Sequence, residues 1–274
     1  MPALDFATCA ALLDAMTAIS LTAVEAIRHA QGEGKVRIKA DGSPVTAADE
    51  AAEAVIRDGL ARLDQALPVI SEERAESECP RIGDASFILV DPLDGTREFV
   101  AGRNEYTINI GLVSDGAPLL GVITAPALGF IWRGIVGGGA ERLEFSSGKA
   151  SLPQAIHTRP RPTDELLVMV SRSHLDPQTQ DYLDSLSSAR SIACGSALKF
   201  CRLAEGAADL YPRLAPTRDW DVAAGHAILA AAGGGVAAPD GAPLLYGSPG
   251  LRIPAFLAWG DAQSAPEIRS TVRD

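Results

Sequence analysis

The pattern of apolar and polar positions along the chain predicts helices first and buried strands after them. Apolar residues recur at helical spacing over 3–31 and again over 47–63, with a short extended piece, Val36–Lys39, between these two segments. Two short apolar pieces follow, at 67–70 and 87–90, and each runs directly into acidic residues. We therefore expect two buried strands that both end in acid.

The middle of the chain has the pattern of an antiparallel sheet. From Tyr106 to about Phe145, apolar runs are separated by turn sequences that contain glycine, such as Asp115-Gly116. This spacing predicts a meander of three or four strands. The proline-containing segment Ser151–Thr163 then reads as a connector.

Strand and helix patterns alternate beyond the connector. Strands are predicted over 166–171, 190–194 and 208–213, and helices over 176–187, 196–205 and 219–232, before a final strand pair. Such alternation indicates a mixed or parallel sheet covered by helices. We expect an α/β (α+β) fold with an α+β subdomain over residues 1–150 and an α/β subdomain over 151–274.

Composition and charge narrow the class of protein. The 274 residues are 47% hydrophobic and 22% charged, which is ordinary for a folded protein, and the formal net charge of −11 disfavours nucleic acid as a partner. Up to Ile27 the chain has no Lys or Arg, and acids interrupt its apolar positions, so we predict neither a signal peptide nor a transmembrane segment. The four cysteines form no C-x-x-C pair, which suits a reducing cytoplasmic compartment.

The candidate chemistry begins at Asp91 and Asp94, directly after the apolar piece 87–90. Ligand groups usually gather at the carboxyl ends of strands in α/β proteins. We expect Pro92 to stop the strand and Gly95 to let the backbone approach a ligand closely. A helix that begins at Thr96 would favour an anion at the same place. Oxygen ligands of this kind are those that Mg²⁺ prefers.

Further acids lie where other predicted elements begin or end. Glu72 and Glu73 close the first short strand, Asp49 lies near the start of the second helix, and Asp219 and Asp221 open the helix at 219–232. Each has a simpler interpretation. Asp is a preferred helix cap, and a Glu pair in a loop can be solvated. The residues alone leave these alternatives open.

Three motifs resemble the inositol monophosphatase superfamily of lithium-sensitive, magnesium-dependent phosphatases. They are Asp91-Pro92-Leu93-Asp94-Gly95-Thr96, Ser71-Glu72-Glu73 and the segment from Trp220 to Gly225. Within the superfamily, the segments 95–99, 171–174, 195–201 and 204–213 are most similar to the bacterial 3′(2′),5′-bisphosphate nucleotidases of the CysQ type. The resemblance implies a layered α-β-α-β-α sandwich of the inositol monophosphatase and fructose-1,6-bisphosphatase type.

The resemblance also implies roles for individual residues. Two or three Mg²⁺ ions would be held by Glu72, Asp91, the Leu93 carbonyl, Asp94 and Asp221. Asp49 and Thr96 would orient or deprotonate the attacking water beside Glu72, and the amides of Gly95 and Thr96 would receive the phosphate. Residues 1–150 would then bind metal and phosphate, and residues 151–274 would select the substrate.

The same resemblance suggests which residues contact the substrate. The candidates are Ser173, His174, Gly195, Ser196, Lys199, Tyr211 and Arg213. For Tyr211 a packing role and for Lys199 a solvated position remain open from the residues themselves. Arg97 stands where the family more often has Lys, and its planar guanidinium differs from an ammonium.

The function that the resemblance implies is hydrolysis of 3′-phosphoadenosine 5′-phosphate to AMP and phosphate. Catalysis of this kind relies on position and charge and needs no nucleophilic side chain. One alternative keeps the mechanism and changes the substrate to an inositol or sugar phosphate. Another is an inactive metal-binding regulatory protein. The expected partner is a phosphorylated small molecule, the expected assembly is a monomer or homodimer, and the family also allows peripheral contact with the cytoplasmic face of the inner membrane.

Overall fold

The computed structural model describes residues 4–32, 36–39, 42–65, 67–74 and 86–264. Its helices are α1 (Phe6–Ala30), α2 (Ala47–Ala61), α3 (Thr96–Val100), α4 (Pro177–Asp184), α5 (Leu198–Ala204) and α6 (Asp219–Ala231), with 3-10 turns at Glu72–Arg74 and Ala262–Ser264. The strands of the first half are β1 (Arg37–Ile38), β2 (Pro44–Val45), β3 (Val69–Ser71), β4 (Ser86–Asp94), β5 (Thr107–Ser114), β6 (Ala117–Ala125), β7 (Phe130–Ile135), β8 (Gly139–Ser146) and β9 (Lys149–Ala150). The remaining strands are β10 (Gln154–Ile156), β11 (Leu166–Ser171), β12 (Ala189–Cys194), β13 (Leu210–Arg213), β14 (Thr217–Arg218), β15 (Gly235–Ala237), β16 (Arg252–Ile253) and β17 (Phe256–Trp259).

The larger sheet has the order β10-β8-β7-β6-β5-β4-β3, with β9 beside β8. Among the described strands of this sheet, β3 and β4 alone run parallel to each other. The strands from β5 to β8 form the antiparallel meander that the sequence predicts, and β4 pairs antiparallel with β5. Helices α1 and α2 cover one face through a core that includes Met16, Ile56 and Ile110. The other face packs on α5 and α6.

The second sheet has the order β12-β11-β13-β17-β15 and lies on the far side of α5 and α6. Strand β11 runs parallel to β12 and β13, whereas β17 runs antiparallel to both of its neighbours. Tyr182 and Leu183 of α4 cover its outer face against Val168 and Leu210. The layers therefore alternate α-β-α-β-α, and the predicted fold class is confirmed.

A row of glycines lets α6 approach the larger sheet. Gly111, Gly121 and Gly134 lie side by side on β5, β6 and β7. A methyl group at Gly121 would lie 2.3 Å from the carbonyl oxygen of Ala224, which is far inside any permitted contact. Because these three positions have no side chains, α6, which carries Asp221 in its first turn, can lie directly on the strands.

Two predictions about the strands were wrong. Pro92 does not end the strand, because β4 continues to Asp94. The register with β5 shifts between Asp91 and Asp94, so the missing N–H of Pro92 falls at an irregularity and interrupts no regular ladder. The connector at 151–163 also contains a short strand, β10, which pairs with β8.

Helix α1 begins later than the apolar pattern suggests, because the Asp5 carboxylate caps it by accepting from the Thr8 amide at 2.8 Å. In the described part of the chain, α1 is the one helix long and apolar enough to cross a bilayer. Core helices pass the same test, and the inward face of α1, with Met16 and Ile27 fully buried, packs against α2 and the sheet. The cysteines Cys9, Cys194 and Cys201 are unpaired, and Cys79 lies outside the described residues.

Candidate active site

Three carboxylates from separate elements meet at one end of the larger sheet. Glu72 follows β3, Asp91 lies on β4, and Asp221 lies in the first turn of α6. One carboxylate oxygen from each lies within 4.8 Å of the others. Because β3 and β4 are parallel neighbours, their carboxyl ends bring Glu72 and Asp91 together, and the close packing of α6 adds Asp221.

Donors from the chain itself orient these acids. The Asp91 carboxylate accepts from the Leu93 amide at 3.1 Å, and the Asp94 carboxylate accepts from the Asn109 side chain at 3.2 Å. The Asp221 carboxylate accepts from the Thr217 hydroxyl and from the backbone amide before its helix, at Arg218, at 3.1 Å. Asp221 thus completes the helix cap and still reaches the cluster.

The acids of the cluster destabilise one another's charge. Burial, together with repulsion from Asp221, raises the pKa of Glu72 to about 7 against the pull of Lys39, and raises that of Asp94 to about 6. Burial and the neighbouring acids also raise the pKa of Asp91 well above its usual range. An all-oxygen donor set whose negative charges repel one another fits a hard divalent cation such as Mg²⁺.

The ammonium of Lys39 lies beside the cluster. It donates to Glu72 and to Glu73, each at 2.7 Å. Glu73 is therefore an ion-pair partner of Lys39 and not a free solvated acid. Sequence reasoning missed Lys39.

Asp49 and Thr96 form a hydrogen-bonded pair at the edge of the cluster. The Thr96 hydroxyl lies 3.0 Å from Asp49 Oδ1 and 3.1 Å from the Leu93 carbonyl oxygen, so it has two acceptors for one proton. The other Asp49 oxygen accepts from the amide and the hydroxyl of Thr46, at 2.8 and 2.6 Å. This capping box at the start of α2 fixes the carboxylate behind Thr96.

Basic groups line the same cleft. Arg97, Lys199 and Arg213 lie there with His174, whose pKa is lowered by burial and further by Arg97 and Arg213. The Nε atom of Arg213 is buried and has no hydrogen-bond partner among the described residues. The cleft therefore has an acidic cluster and a cationic wall, which we define as Arg97, Lys199 and Arg213. The imidazole of His174 lies beside them, and its lowered pKa favours the uncharged ring.

The predicted site residues fall into two groups. Those that line the cleft are Glu72, Asp91, Leu93, Asp94, Gly95, Thr96, His174, Gly195, Ser196, Lys199, Tyr211, Arg213 and Asp221. Asp49 lies behind Thr96 at 2% exposure, and the Ser173 hydroxyl donates to the buried carboxylate of Glu98. Ser173 therefore supports the wall of the cleft in this structure, and its predicted contact with substrate stays a prediction.

The structure bears on two interpretations that the residues left open, those of Lys199 and Tyr211. Lys199 is 2% exposed, and its ammonium donates to the backbone carbonyls of Cys194 and Ser196, so it is not solvated. Tyr211 packs edge-on against Phe200, as a core residue would, and also lines the cleft. Both alternatives for Tyr211 therefore describe part of its environment.

Sequence reasoning missed two supporting residues, and only the first of them left a trace in the sequence. Asn109 is a polar residue inside an otherwise apolar strand and is 1% exposed, which is unusual unless it has a partner. Glu105 follows the short helix α3 in a loop, and its role became visible only from its contacts with Arg172 and Gly195.

Comparisons with known proteins agree on one family. The profile of the inositol monophosphatase family matches residues 6–272. The 3′(2′),5′-bisphosphate nucleotidase CysQ of Shigella flexneri is 41% identical over 254 residues, which cover 89% of this chain and 100% of that protein.

Solved structures give the same result. CysQ from Bacteroides thetaiotaomicron superposes with a TM-score of 0.76 at 33% identity, covering 91% of this chain and 97% of that one. An inositol monophosphatase from Anabaena superposes with a TM-score of 0.75 at 25% identity, covering 96% and 95% of the two chains. With its fold, its match to the family profile and its full-length relatives in agreement, this chain belongs to the inositol monophosphatase family.

Proposed function

We propose that the protein is a magnesium-dependent 3′(2′),5′-bisphosphate nucleotidase that hydrolyses 3′-phosphoadenosine 5′-phosphate to AMP and phosphate. The observation that carries this proposal is that one cleft holds both a carboxylate cluster and a cationic wall. A substrate with two phosphates can engage both. The full-length CysQ relative, whose name states this activity, supports the same substrate.

The acidic end of the cleft fits the hydrolytic step. Glu72, Asp91, Asp94, Asp221 and the Leu93 carbonyl would hold Mg²⁺. Bound Mg²⁺ supplies Lewis acidity there, which neutralises phosphate charge and makes water more acidic. The chain's own residues hold and align the reactants.

In this proposal, Thr96 and Asp49 accept the proton of the attacking water. The Thr96 hydroxyl donates to Asp49 or to the Leu93 carbonyl, which leaves its oxygen lone pairs free to accept from water. As the water oxygen bonds to phosphorus, its proton passes through Thr96 to Asp49. The bond between phosphorus and the ribose 3′-oxygen breaks, and that oxygen takes a proton from solvent.

The cationic wall would bind the 5′-phosphate. Guanidinium and ammonium groups make strong charge-assisted hydrogen bonds to phosphate oxygens, and the partnerless Nε of Arg213 is a donor that such a ligand could satisfy. An inositol monophosphate carries one phosphate and would leave this wall without an anionic partner. The wall therefore favours the bisphosphate nucleotide over the monophosphate alternative.

Phosphate release tests the proposal. The purified protein is given 3′-phosphoadenosine 5′-phosphate, inositol 1-phosphate and fructose 1,6-bisphosphate in parallel, each with Mg²⁺ and with EDTA. We expect Mg²⁺-dependent release with a strong preference for the nucleotide. Preference for the inositol or sugar ester would overturn the substrate and keep the mechanism, whereas no release from any of them would favour an inactive metal-binding protein.

The setting of this activity is a further part of the proposal. We infer a cytoplasmic enzyme that acts on small phosphorylated metabolites as a monomer or homodimer. The free thiols of Cys9, Cys194 and Cys201 suit a reducing compartment, and the net charge of −11 disfavours a polyanionic partner. It stays a prediction that residues 1–150 bind metal and phosphate and that residues 151–274 select the substrate. Because Asp221 belongs to the carboxylate cluster, both parts of the chain would contribute metal ligands.

A further inference from the structure

Glu105 lies between the loop that contains Gly95 and the loop that contains Gly195. A Cβ atom at Gly95 would lie 2.9 Å from the Glu105 carbonyl oxygen, and a Cβ atom at Gly195 would lie 2.7 Å from the same oxygen. The backbone of residue 105 is therefore wedged between two loops that are one hundred residues apart in the chain. Its position fixes how closely they can approach.

The side chain of Glu105 ties the same loops together. Its carboxylate accepts a bidentate pair from Arg172, at 2.6 and 2.7 Å, and a further bond from the Gly195 amide at 2.9 Å. Arg172 also donates to the carbonyl of Ala193. Three loops thus share one carboxylate: residues 102–105, residues 171–174 with His174, and residues 193–196 with Ser196.

This pair differs from an ordinary surface ion pair. The side chains of Arg172 and Glu105 are 33% and 26% exposed, whereas those of Arg190 and Glu165, on neighbouring strand ends, are 63% and 49% exposed. Planar bidentate geometry and partial burial are the conditions under which such pairs hold a fixed arrangement. Glu98 adds a second link through the Ser173 hydroxyl.

We propose that Glu105 is a positioning residue whose contacts with Arg172 and Gly195 set the separation between the acidic cluster and the cationic wall. This inference rests on the proposed function, because the separation matters only for a substrate that uses both ends of the cleft. The 3′- and 5′-phosphates of one ribose have a limited range of spacing. A displaced wall would lose the 5′-phosphate while the 3′-phosphate still reached the acidic cluster.

The test is the substitution Glu105→Gln, which keeps the backbone wedge and a side-chain acceptor for Gly195 but removes the charge that holds Arg172. We measure KM and kcat for 3′-phosphoadenosine 5′-phosphate and for adenosine 3′-phosphate, which lacks the second phosphate. Since small misplacements of binding groups are costly, we expect KM for the bisphosphate to rise about tenfold. KM for the monophosphate, both kcat values and the Mg²⁺ requirement should change by less than about twofold, because the acidic cluster is untouched.

Two further variants complete the design. Glu165→Gln removes the same charge from the exposed pair with Arg190 and should leave every parameter unchanged. Arg172→Gln breaks the pair from the other side and should reproduce the KM effect, and the double variant should be no worse than either single one, because both act through one interaction. If Glu105→Gln fails to fold, as judged by circular dichroism, Arg172→Gln decides the question by the same criterion.

Equal changes for both substrates, or no change for either, would overturn the positioning role. The proposed function fails in a different way, which is seen in the parent protein: it would then release no phosphate from 3′-phosphoadenosine 5′-phosphate. The two failures are therefore distinguishable.

Discussion

At the scale of single residues, the candidate site concentrates negative charge around one buried carboxylate, that of Asp91. Asp91 is 2% exposed, and Glu72, Asp94 and Asp221 surround it. A folded chain tolerates such a group of like charges only if protons, cations or hydrogen-bond donors offset their repulsion. Here Lys39 and Asn109 supply part of that compensation.

Asp94→Asn tests the charge requirement at this scale. The amide keeps the size of the side chain but cannot replace the anionic ligand, so we expect Mg²⁺-dependent turnover to fall by about 10²–10³-fold or more. In EDTA at neutral pH, the melting temperature of the variant should equal or exceed that of the parent, because one repelling charge is gone.

The control for that experiment is Asp58→Asn, which removes an exposed acid of α2 that pairs with Arg62. It should leave turnover and melting temperature unchanged. Parent-like activity in Asp94→Asn would remove this residue from the proposed metal ligands, and a large loss of stability in EDTA would contradict the repulsion argument.

At the scale of elements, the position of Asp221 depends on how closely α6 packs on the sheet. The glycines of β5, β6 and β7 form a groove under the helix, and Gly121 is the tightest point of contact. A helix held further away would withdraw Asp221 from Glu72 and Asp91. The glycine groove therefore serves the site although none of its members reaches the cleft.

Gly121→Ala tests the link between packing and site. The added methyl group would meet the backbone of α6, so we expect the free energy of unfolding to fall by about 1–3 kcal/mol or more. As a second effect, Mg²⁺ should bind more weakly, so that half-maximal activity needs a higher Mg²⁺ concentration. Denaturant unfolding and a Mg²⁺ titration of activity measure the two effects.

Gly260→Ala is the matched control, because a Cβ atom at Gly260 would have no neighbour nearer than 3.6 Å. It should change neither measurement. If Gly121→Ala lowered stability and left the Mg²⁺ requirement unchanged, the packing of α6 would be independent of the placement of Asp221.

The elements themselves were readable from the sequence, but their meeting points were not. Apolar periodicity predicts local structure, so α2, the meander and the alternating second half were found, and Asp91 and Asp94 were marked by their place after a strand. The failure at Pro92 has a local cause, since Pro92 lies where the register between β4 and β5 is irregular and no backbone N–H is needed there. Contacts such as that of Glu105 with Gly195 depend on tertiary packing, which periodicity does not encode.

At the scale of the whole molecule, the site and the folding of the chain are coupled through protons. Glu72 and Asp94 have pKa values of about 7 and 6 in the fold, above the ordinary values of 4.5 and 3.8. At pH values between the ordinary pKa and the raised pKa of each carboxyl group, the folded chain binds more protons than the unfolded chain. The metal-free protein therefore loses this contribution to stability as pH rises from about 4 to about 7.

His226 acts in the opposite direction. Burial lowers its pKa to about 4, so its contribution to stability is lost as pH falls from its ordinary value of 6.5. Its ring hydrogen-bonds the Tyr246 hydroxyl at 3.0 Å, away from the acidic cluster. Because His226 affects the protein equally with and without metal, the difference between the two melting temperatures isolates the cluster.

We therefore predict that Mg²⁺ raises the melting temperature by several degrees at about pH 8 and by much less at about pH 5. At about pH 8 Glu72 and Asp94 are ionised, because their pKa values are about 7 and about 6. A ligand at 100 times its Kd adds about 2.7 kcal/mol to the free energy of unfolding. At about pH 5 protons occupy Glu72 and Asp94, and the metal must displace them before it binds. Thermal unfolding with Mg²⁺ and with EDTA at both pH values measures the shift, and Asp94→Asn should reduce the shift at about pH 8. An equal shift at both pH values would mean that Mg²⁺ binds somewhere other than this cluster, since acids with raised pKa values make metal and protons compete over this range.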